Sequence, residues 1–486
     1  MNNRAFRCRL QKITIDNFKN VGHGEIRFSC NMHDDIFGKQ SDILGIYGQN
    51  GSGKTTFIYA LDVLHRLLCG QRLWKDMDRF VRIGEKSSRI KYEISLESET
   101  YGRFLVKYLV EIKRKNKEDV TPDIEAFNGD NDLTEFPIFV SREMLQYKRI
   151  NGEKGNRYNS IIEYSYEDSS TNVFGPDIRY KDFISKDKTL ADELRYLKSA
   201  VYKSGSSFIF SAPRMKNIIE RQGFSEELLY IMESVQVFGA VKLFVLSNVQ
   251  ASIVNANIVL PMSFCWVDDE RNLLKHVNVR IKLTDETYVS QDIYDMIQKR
   301  FKAIDNVIAQ IIPNMSLKVA NRGTRTDEKG ETFVIIELLT VREEREVPLR
   351  YESDGIKKLI YILYSLIEMY NDDSVTIAID ELDSGVFEYL LGEILSVLLE
   401  NAKGQLVFTS HNLRALEVLD KKNVMFSTTN EDNRYIRFKN VKGSNNLRDV
   451  YYQDILLGGQ DECVYEPTSQ SAIRRAFRKA GGDLNG

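Results

Sequence analysis

The run Gly48-Gln49-Asn50-Gly51-Ser52-Gly53-Lys54-Thr55 sets three glycines, a lysine and a hydroxyl in the spacing GxxxxGK[ST]. Glycine lets backbone N–H groups turn to the inside of a tight loop, where they cradle phosphate oxygens. Lys54 would reach the β- and γ-phosphates, and the Thr55 hydroxyl would ligate Mg²⁺. Gly48, Asn50, Gly51, Ser52, Gly53, Lys54, Thr55 and the adjoining Thr56 are the expected contacts for ATP. The competing reading is a glycine turn with no chemical role, and the flanking apolar strand and helix patterns weigh against it.

A second constellation ends the apolar run Val375-Thr376-Ile377-Ala378-Ile379 in two carboxylates, Asp380 and Glu381. The C-terminal edge of strands is where an open α/β sheet meets its ligand. Asp380 is the expected second protein ligand of Mg²⁺, beside Thr55. Glu381 is the expected general base, orienting and polarising the attacking water. Alone, an apolar strand followed by Asp-Glu is an ordinary strand exit; the phosphate loop gives it meaning.

Two further segments join them. Ser353-Asp354-Gly355 opens a helix whose apolar face carries Ile356, Leu359, Ile360, Leu363 and Ile367, and a helix start with Ser and Gly suits an anion. By itself it reads equally as a plain N-cap. The strand-like run Gln405 to Thr409 is followed by Ser410-His411-Asn412, which sets one of only five histidines just past a strand end.

In this order the four elements resemble the ABC-type ATPases. The wording of residues 351–359 and 408–412, with the Ile15-Asp16-Asn17-Phe18-Lys19 strand, is most similar to the stand-alone RecF/SMC-like AAA-type ATPases of bacteria. The likeness covers roughly the first 110 residues and residues 310 to 430. It implies that two protomers sandwich ATP, so that Ser353, Asp354 and Gly355 of one act in trans on nucleotide bound at Lys54 of the other. It also implies that His411 contacts the γ-phosphate in cis and that Asp383, in Glu381-Leu382-Asp383-Ser384-Gly385, links the two sites. Gln146 is the candidate by position for the glutamine that senses Mg²⁺ and water.

The order of elements implies an α/β P-loop NTPase core split by a long insertion, and the resemblance makes it an ABC-ATPase head with a compact, mainly helical insertion between phosphate loop and signature. Alternation over Leu10 to Phe28 predicts two strands joined near Asn17 to Asn20. Ile43 to Tyr47 predicts a buried strand leading into a helix with Ile58, Leu61, Leu64 and Leu68 on one face. Residues 88–115 read as antiparallel strands. The expected divisions are an N-terminal lobe over 1–185, the insertion over 186–313, a C-terminal lobe over 314–430 and an extension over 431–486. Within the insertion Ile293, Ile297, Phe301, Ile304, Ile308 and Ile311 form a helical stripe stopping at Pro313, while Ala251 to Leu283 reads as a β-like interruption of the helical pattern. Near the end Ile473 and Phe477 alternate with Arg474, Arg475, Arg478 and Lys479, and Gly481-Gly482 signals a helix stop.

With 67 basic and 70 acidic residues the formal charge is only −3, so a nucleic-acid groove would have to be local. Lys113, Arg114, Lys115, Lys117, Lys148, Arg149, Lys154 and Arg157 are the residues that could build one. Five dispersed cysteines suggest neither a disulfide framework nor zinc, and the apolar stretch 235–249 is too short and too polar to cross a bilayer. A cytoplasmic protein without membrane contact is expected.

The separation of Gly53 from Gly355 is too wide for a transporter subunit, and no sustained heptads mark a long coiled coil. The stretch after His411 has no separated acidic clusters of a nuclease. The resulting expectation is an ATP-hydrolysing switch, a homodimer or higher homo-oligomer, controlling a separate effector such as a nuclease or toxin in bacterial anti-phage defence. The alternative is a RecF-like DNA-binding ATPase in repair or replication.

Overall fold

Alternating side chains in the first part of the chain build one face of a large antiparallel sheet. Its strands are β1 (Phe6–Phe18), β2 (Val21–Arg27), β4 (Ser87–Ser98), β5 (Gly102–Arg114), β6 (Ile138–Arg149), β7 (Asn159–Ser165) and β8 (Phe174–Gly175), in the order β2-β1-β4-β5-β6-β7-β8. Ile90, Tyr92 and Ile94 of β4 and Phe104, Val106, Tyr108 and Val110 of β5 are fully buried, the period of two expected of a half-covered sheet. This computed structural model describes residues 6–28, 41–115, 137–150, 157–168, 172–185, 189–211, 225–268, 273–439 and 446–483.

A second, six-stranded sheet carries the nucleotide motifs. Strand β3 (Asp42–Tyr47) lies parallel to β17 (Gln405–Thr409) and to β18 (Val424–Ser427), and β17 pairs in parallel with β16 (Thr376–Ile379). A short strand β19 (Tyr435–Ile436) closes one edge, giving the order β19-β18-β3-β17-β16-β9. Both faces of this sheet are covered, so its strands are continuous apolar runs. On one face Leu44, Ile46, Ala378 and Val407 join the core that contains helix α1 (Lys54–Leu68) and the antiparallel sheet. On the other, Ile43, Tyr47, Ile377, Ile379, Leu406 and Phe408 join a second core with helices α7 (Asp354–Asn371) and α8 (Glu388–Asn401). Helix α1 is thus clamped between sheets, and Tyr92 of β4 donates its hydroxyl proton to the Ala60 carbonyl at 2.6 Å.

The described residues of the stretch 186–313 are mainly helical, but they are shared between the lobes and do not form one separate unit. After α2 (Asp177–Ser185), helices α3 (Thr189–Ser204) and α4 (Glu226–Val237) bury Leu190, Leu194, Val201, Ile231 and Val235 in the first core, making them part of the N-terminal lobe. Strand β9 (Leu243–Leu246) then adds to the nucleotide sheet as its edge, parallel to β16. Four apolar residues cannot distinguish strand from buried helix by periodicity, and the free edge of β16 decides. After α5 (Asn248–Asn255) come a hairpin, β10 (Val259–Asp268) and β11 (Leu273–Lys282), and a three-residue strand, β12 (Thr287–Val289).

Helix α6 (Gln291–Ile311) buries Ile297, Phe301, Ile304 and Ile308 in the second core, with Ile293 and Ile311 only partly covered at its ends. It packs against a small sheet of β12, β13 (Ser316–Thr326), β14 (Thr332–Arg342) and β15 (Arg345–Pro348). At the chain's end, α9 (Leu447–Leu457) and α10 (Gln470–Asp483) follow, and α10 runs through Gly481 and Gly482 instead of stopping before them. Among the described residues no helix is long and apolar enough to cross a membrane.

Candidate functional site

The loop between β3 and α1 turns on three positive φ angles: Gly48 at 152°, Gly51 at 81° and Gly53 at 95°. Side chains rarely adopt such backbone, and a Cβ at Gly48 would also collide with the Ser427 hydroxyl. The outside of the loop is braced by the C-terminal part of the chain: Ser52 bonds Ser427, and Tyr435 donates to the Gly53 carbonyl at 2.7 Å. Lys54 Nζ donates to the carbonyls of Gly48 at 2.8 Å and Gln49 at 2.9 Å. Burial pushes its pKa down to about 8, although Asp380, Glu381 and Asp383 pull the other way.

At the end of β16, Asp380 Oδ1 accepts protons from the Thr409 hydroxyl at 2.7 Å and the Thr55 hydroxyl at 3.2 Å. Oδ2 is buried and has no hydrogen-bond partner among the described residues. Desolvation raises the Asp380 carboxyl above its ordinary value, opposed by the Thr409 and Thr55 hydrogen bonds and Lys54. An orphaned carboxylate oxygen beside a phosphate-loop hydroxyl fits a small hard cation that also holds phosphate oxygens. The next residue, Glu381, sits at φ 48°, the left-handed region that a non-glycine residue seldom adopts. Its amide donates to Thr409 Oγ1 at 2.7 Å, its carbonyl accepts from Lys358 Nζ, and it lines the cavity above Lys54. Two anchors hold this strained turn.

Asp383 accepts from the His411 amide at 3.1 Å, joining the loop after β16 to the loop after β17. His411 lines the same cavity as Glu381 and Lys54. Desolvation first, and the Lys54 ammonium second, push its imidazole below the ordinary value, so the neutral ring is favoured.

Ser353, Asp354 and Gly355 stand apart from that cavity. Ser353 caps α7, accepting from the Ile356 amide at 3.4 Å, and Asp354 pairs with Lys357 at 2.9 Å. A Cβ at Gly355 would collide with the Gly385 carbonyl, so the signature turn and the loop containing Asp383 touch backbone to backbone. Ser353 and Asp354 are exposed, as are Tyr351, Phe387 and Tyr389 on the neighbouring turns.

The cavity over the phosphate loop measures about 740 Å³ and is lined by Asn50, Gly51, Gly53, Lys54, Thr55, Thr56, Glu381, Thr409 and His411. Lys19, Asn20, Arg79, Arg82, Ile83 and Glu431 complete it, and sequence reasoning missed all six. The Ile15 to Lys19 wording held a signal for Lys19 alone. Asn20 bonds the Gly51 carbonyl and accepts from Thr56 Oγ1 at 2.8 Å, while Lys19 Nζ lies 4.0 Å from the Tyr59 ring centroid. Arg82, which pairs with Glu431, carries no recognisable motif.

Gln146 does not line this cavity. It lies within β6, opposite Lys107, and donates to Ser160 Oγ at 2.9 Å, so cross-strand pairing with β7 uses its amide. Several candidate nucleic-acid cations are engaged in the fold too. Lys113 pairs with Glu167, Arg114 donates to the carbonyls of Asp78, Val81 and Glu85, Lys115 is buried over Tyr202, and Arg149 pairs with Glu227. Lys117 and Lys154 lie outside the described residues.

The stretch 43–417, from β3 through the His411 loop, matches the family model described as "AAA domain, putative AbiEii toxin, Type IV TA system". The chain belongs to this AAA-domain family. Along the chain, phosphate loop, signature turn, Asp-Glu strand and histidine follow one another in the order of an ABC-type P-loop ATPase. No curated protein sequence matches the chain. Among solved structures, an SMC head bound to the C-winged helix domain of ScpA is similar at 11% identity and a TM-score of 0.40, over 89% of this chain and 98% of that one. The SMC head domain from Thermotoga maritima gives 14% and 0.36, over 89% and 99%. RecF, a recombination mediator protein of the RecFOR pathway, gives 14% and 0.36, over 90% and 100%.

Proposed function

We propose that this chain hydrolyses ATP at a site completed by a second copy of itself, and that the resulting cycle controls a separate effector. The observation that carries the first part is the grouping of Lys54, Thr55 and Glu381 at one cavity, with buried Asp380 bonded to the Thr55 hydroxyl and its Oδ2 left without a partner among the described residues. Lys54 and the loop amides bind the triphosphate, and Thr55 with Asp380 would hold Mg²⁺. When bound there, Mg²⁺ would supply positive charge to offset that of the phosphates. Glu381 takes the proton of the attacking water, and neutral His411 donates to the γ-phosphate.

Exposure of Ser353 and Asp354, away from their own chain's cavity, supports their acting on the nucleotide of another copy. The exposed Tyr351, Phe387 and Tyr389 around them supply apolar area for that contact. Asp383, bound to the His411 amide and adjoining the turn that touches Gly355, would pass the state of one site to the next.

For the biological role, the matched family's description names a toxin and a toxin–antitoxin system. That supports an ATPase or sensor subunit gating a nuclease or toxin in bacterial anti-phage defence. Phosphate release by the purified chain, lost in Asp380→Asn, tests the site. Retention of a defined partner by the ATP-bound chain, lost in Lys54→Ala, tests the switch. Salt-sensitive retention on duplex DNA would favour the RecF-like reading instead.

A further inference from the structure

Two apolar surfaces near the end of the chain face solvent. On α9 the exposed side carries Tyr452, Leu456 and Leu457, the last two 78% and 84% accessible, while the opposite side buries Leu447 and Tyr451 against the body. On α10 Ile473 and Phe477 stand one helical turn apart, Phe477 being 77% accessible. Neither surface covers the other within the chain, and such unpartnered patches mark contact sites.

Their charges are opposite. Helix α10 carries Arg474, Arg475, Arg478 and Lys479, with Asp483 its only acid. Beside the patch on α9 stands exposed Asp449 of the same helix, while Asp461, just beyond it, already pairs with Lys439. Helix α10 is also well started, with the Ala472 amide donating to Ser469 Oγ at 3.3 Å.

Its point of departure is held in place. Glu462 accepts from Asn430 and Asn433 at 2.9 Å each, and the Thr429 amide donates to the Cys463 carbonyl at 2.8 Å. The last tie is to the phosphate loop, where Gln49 Oε1 accepts from the Glu466 amide at 2.9 Å and Gln49 Nε2 donates to the Glu466 carbonyl at 3.5 Å. Only Pro467, Thr468 and Ser469 separate this anchor from α10.

We infer that α10 is an exchange arm: Ile473 and Phe477 of one copy dock on Tyr452, Leu456 and Leu457 of another, with the arm's cations meeting Asp449. The occupant is a second copy because one chain carries both halves of a matched contact, apolar against apolar and a basic helix against the exposed Asp449 carboxylate. A helix docking on an apolar surface is read through its i and i+4 anchors.

The test is sedimentation velocity without nucleotide, so that its failure leaves the ATPase reading untouched. The full chain should associate in a salt-sensitive manner. Phe477→Glu and the double variant Leu456→Glu/Leu457→Glu should each weaken association at least tenfold. Because these side chains are exposed, an unchanged melting temperature would show that the body still folds. A one-to-one mixture of the two variants keeps one intact arm and one intact patch, and should associate more tightly than either variant alone. A monomeric full chain, variants that associate as it does, or a mixture no tighter than its components would each overturn the arm.

Discussion

Lys358, on the helix that Ser353 caps, donates its ammonium proton to the backbone carbonyl of Glu381. The side chain is buried, and burial lowers its pKa against the pull of Asp383, Glu381 and Asp380. The helix of the signature turn therefore holds the strained turn that aims the proposed base. Lys358→Met keeps length and apolar packing but removes the donor. Losing a hydrogen bond from a charged group costs about 1.5 to 3 kcal/mol. Turnover should fall roughly tenfold or more, with ATP affinity within about twofold of the parent. Phosphate-release kinetics beside a fluorescent-nucleotide titration would check this; lost affinity with normal turnover per bound ATP would contradict it.

Glu381→Gln should bind ATP normally and hydrolyse it about 10² to 10⁴ times more slowly, the usual contribution of a positioned general base. The amide retains the side chain's volume, and the backbone anchors from Thr409 and Lys358 do not depend on the carboxylate. A nucleotide-locked dimer should accumulate and be visible by light scattering. Undiminished turnover would remove Glu381 from the reaction.

The trans reading makes a sharper demand. Lys54→Ala removes the ammonium that binds phosphate, and Ser353→Arg fills the exposed helix start. Each variant alone should be nearly inactive. Mixed in equal amounts, they can form a dimer with one site intact, and activity should return to roughly a quarter of the parent's if subunits assort randomly and the sites act independently. A site built wholly in cis predicts no recovery.

What was legible in the sequence is local in origin. The phosphate loop announces itself because its three glycines and Lys54 must be adjacent, and Asp380 because it ends a short apolar strand. Thr409, by contrast, gains meaning only from register: β16 and β17 run parallel with Ile379 opposite Phe408, so the next residue of each strand brings Asp380 and Thr409 together. Gln146 failed for the complementary reason. Its position along the chain suited a cation sensor, but β7 pairs with that part of β6, across a register shift between Leu145 and Gln146, and directs its amide to Ser160. Strand β9 was hidden because four apolar residues mean little until the edge of β16 offers them hydrogen bonds. Lys19 and Asn20 reach the cavity through the turn between β1 and β2, another long-range consequence.

Lys54 makes nucleotide binding depend on pH in a defined direction. Its pKa is depressed to about 8, so near pH 7 most of the free protein carries the ammonium, and above pH 8 most does not. A bound triphosphate stabilises the charged form and raises that pKa. Binding therefore takes up protons at pH 8 to 9, and apparent affinity falls as pH rises through that range, approaching tenfold per unit where Lys54 is the sole linked group. Titration calorimetry in buffers of different ionisation enthalpy would measure the uptake. Lys54→Arg is the control: its guanidinium stays charged, so the residual affinity should lose this pH dependence. A parent protein whose ATP affinity stays flat between pH 7 and 9 would contradict the assignment of Lys54 as the buried, phosphate-linked cation.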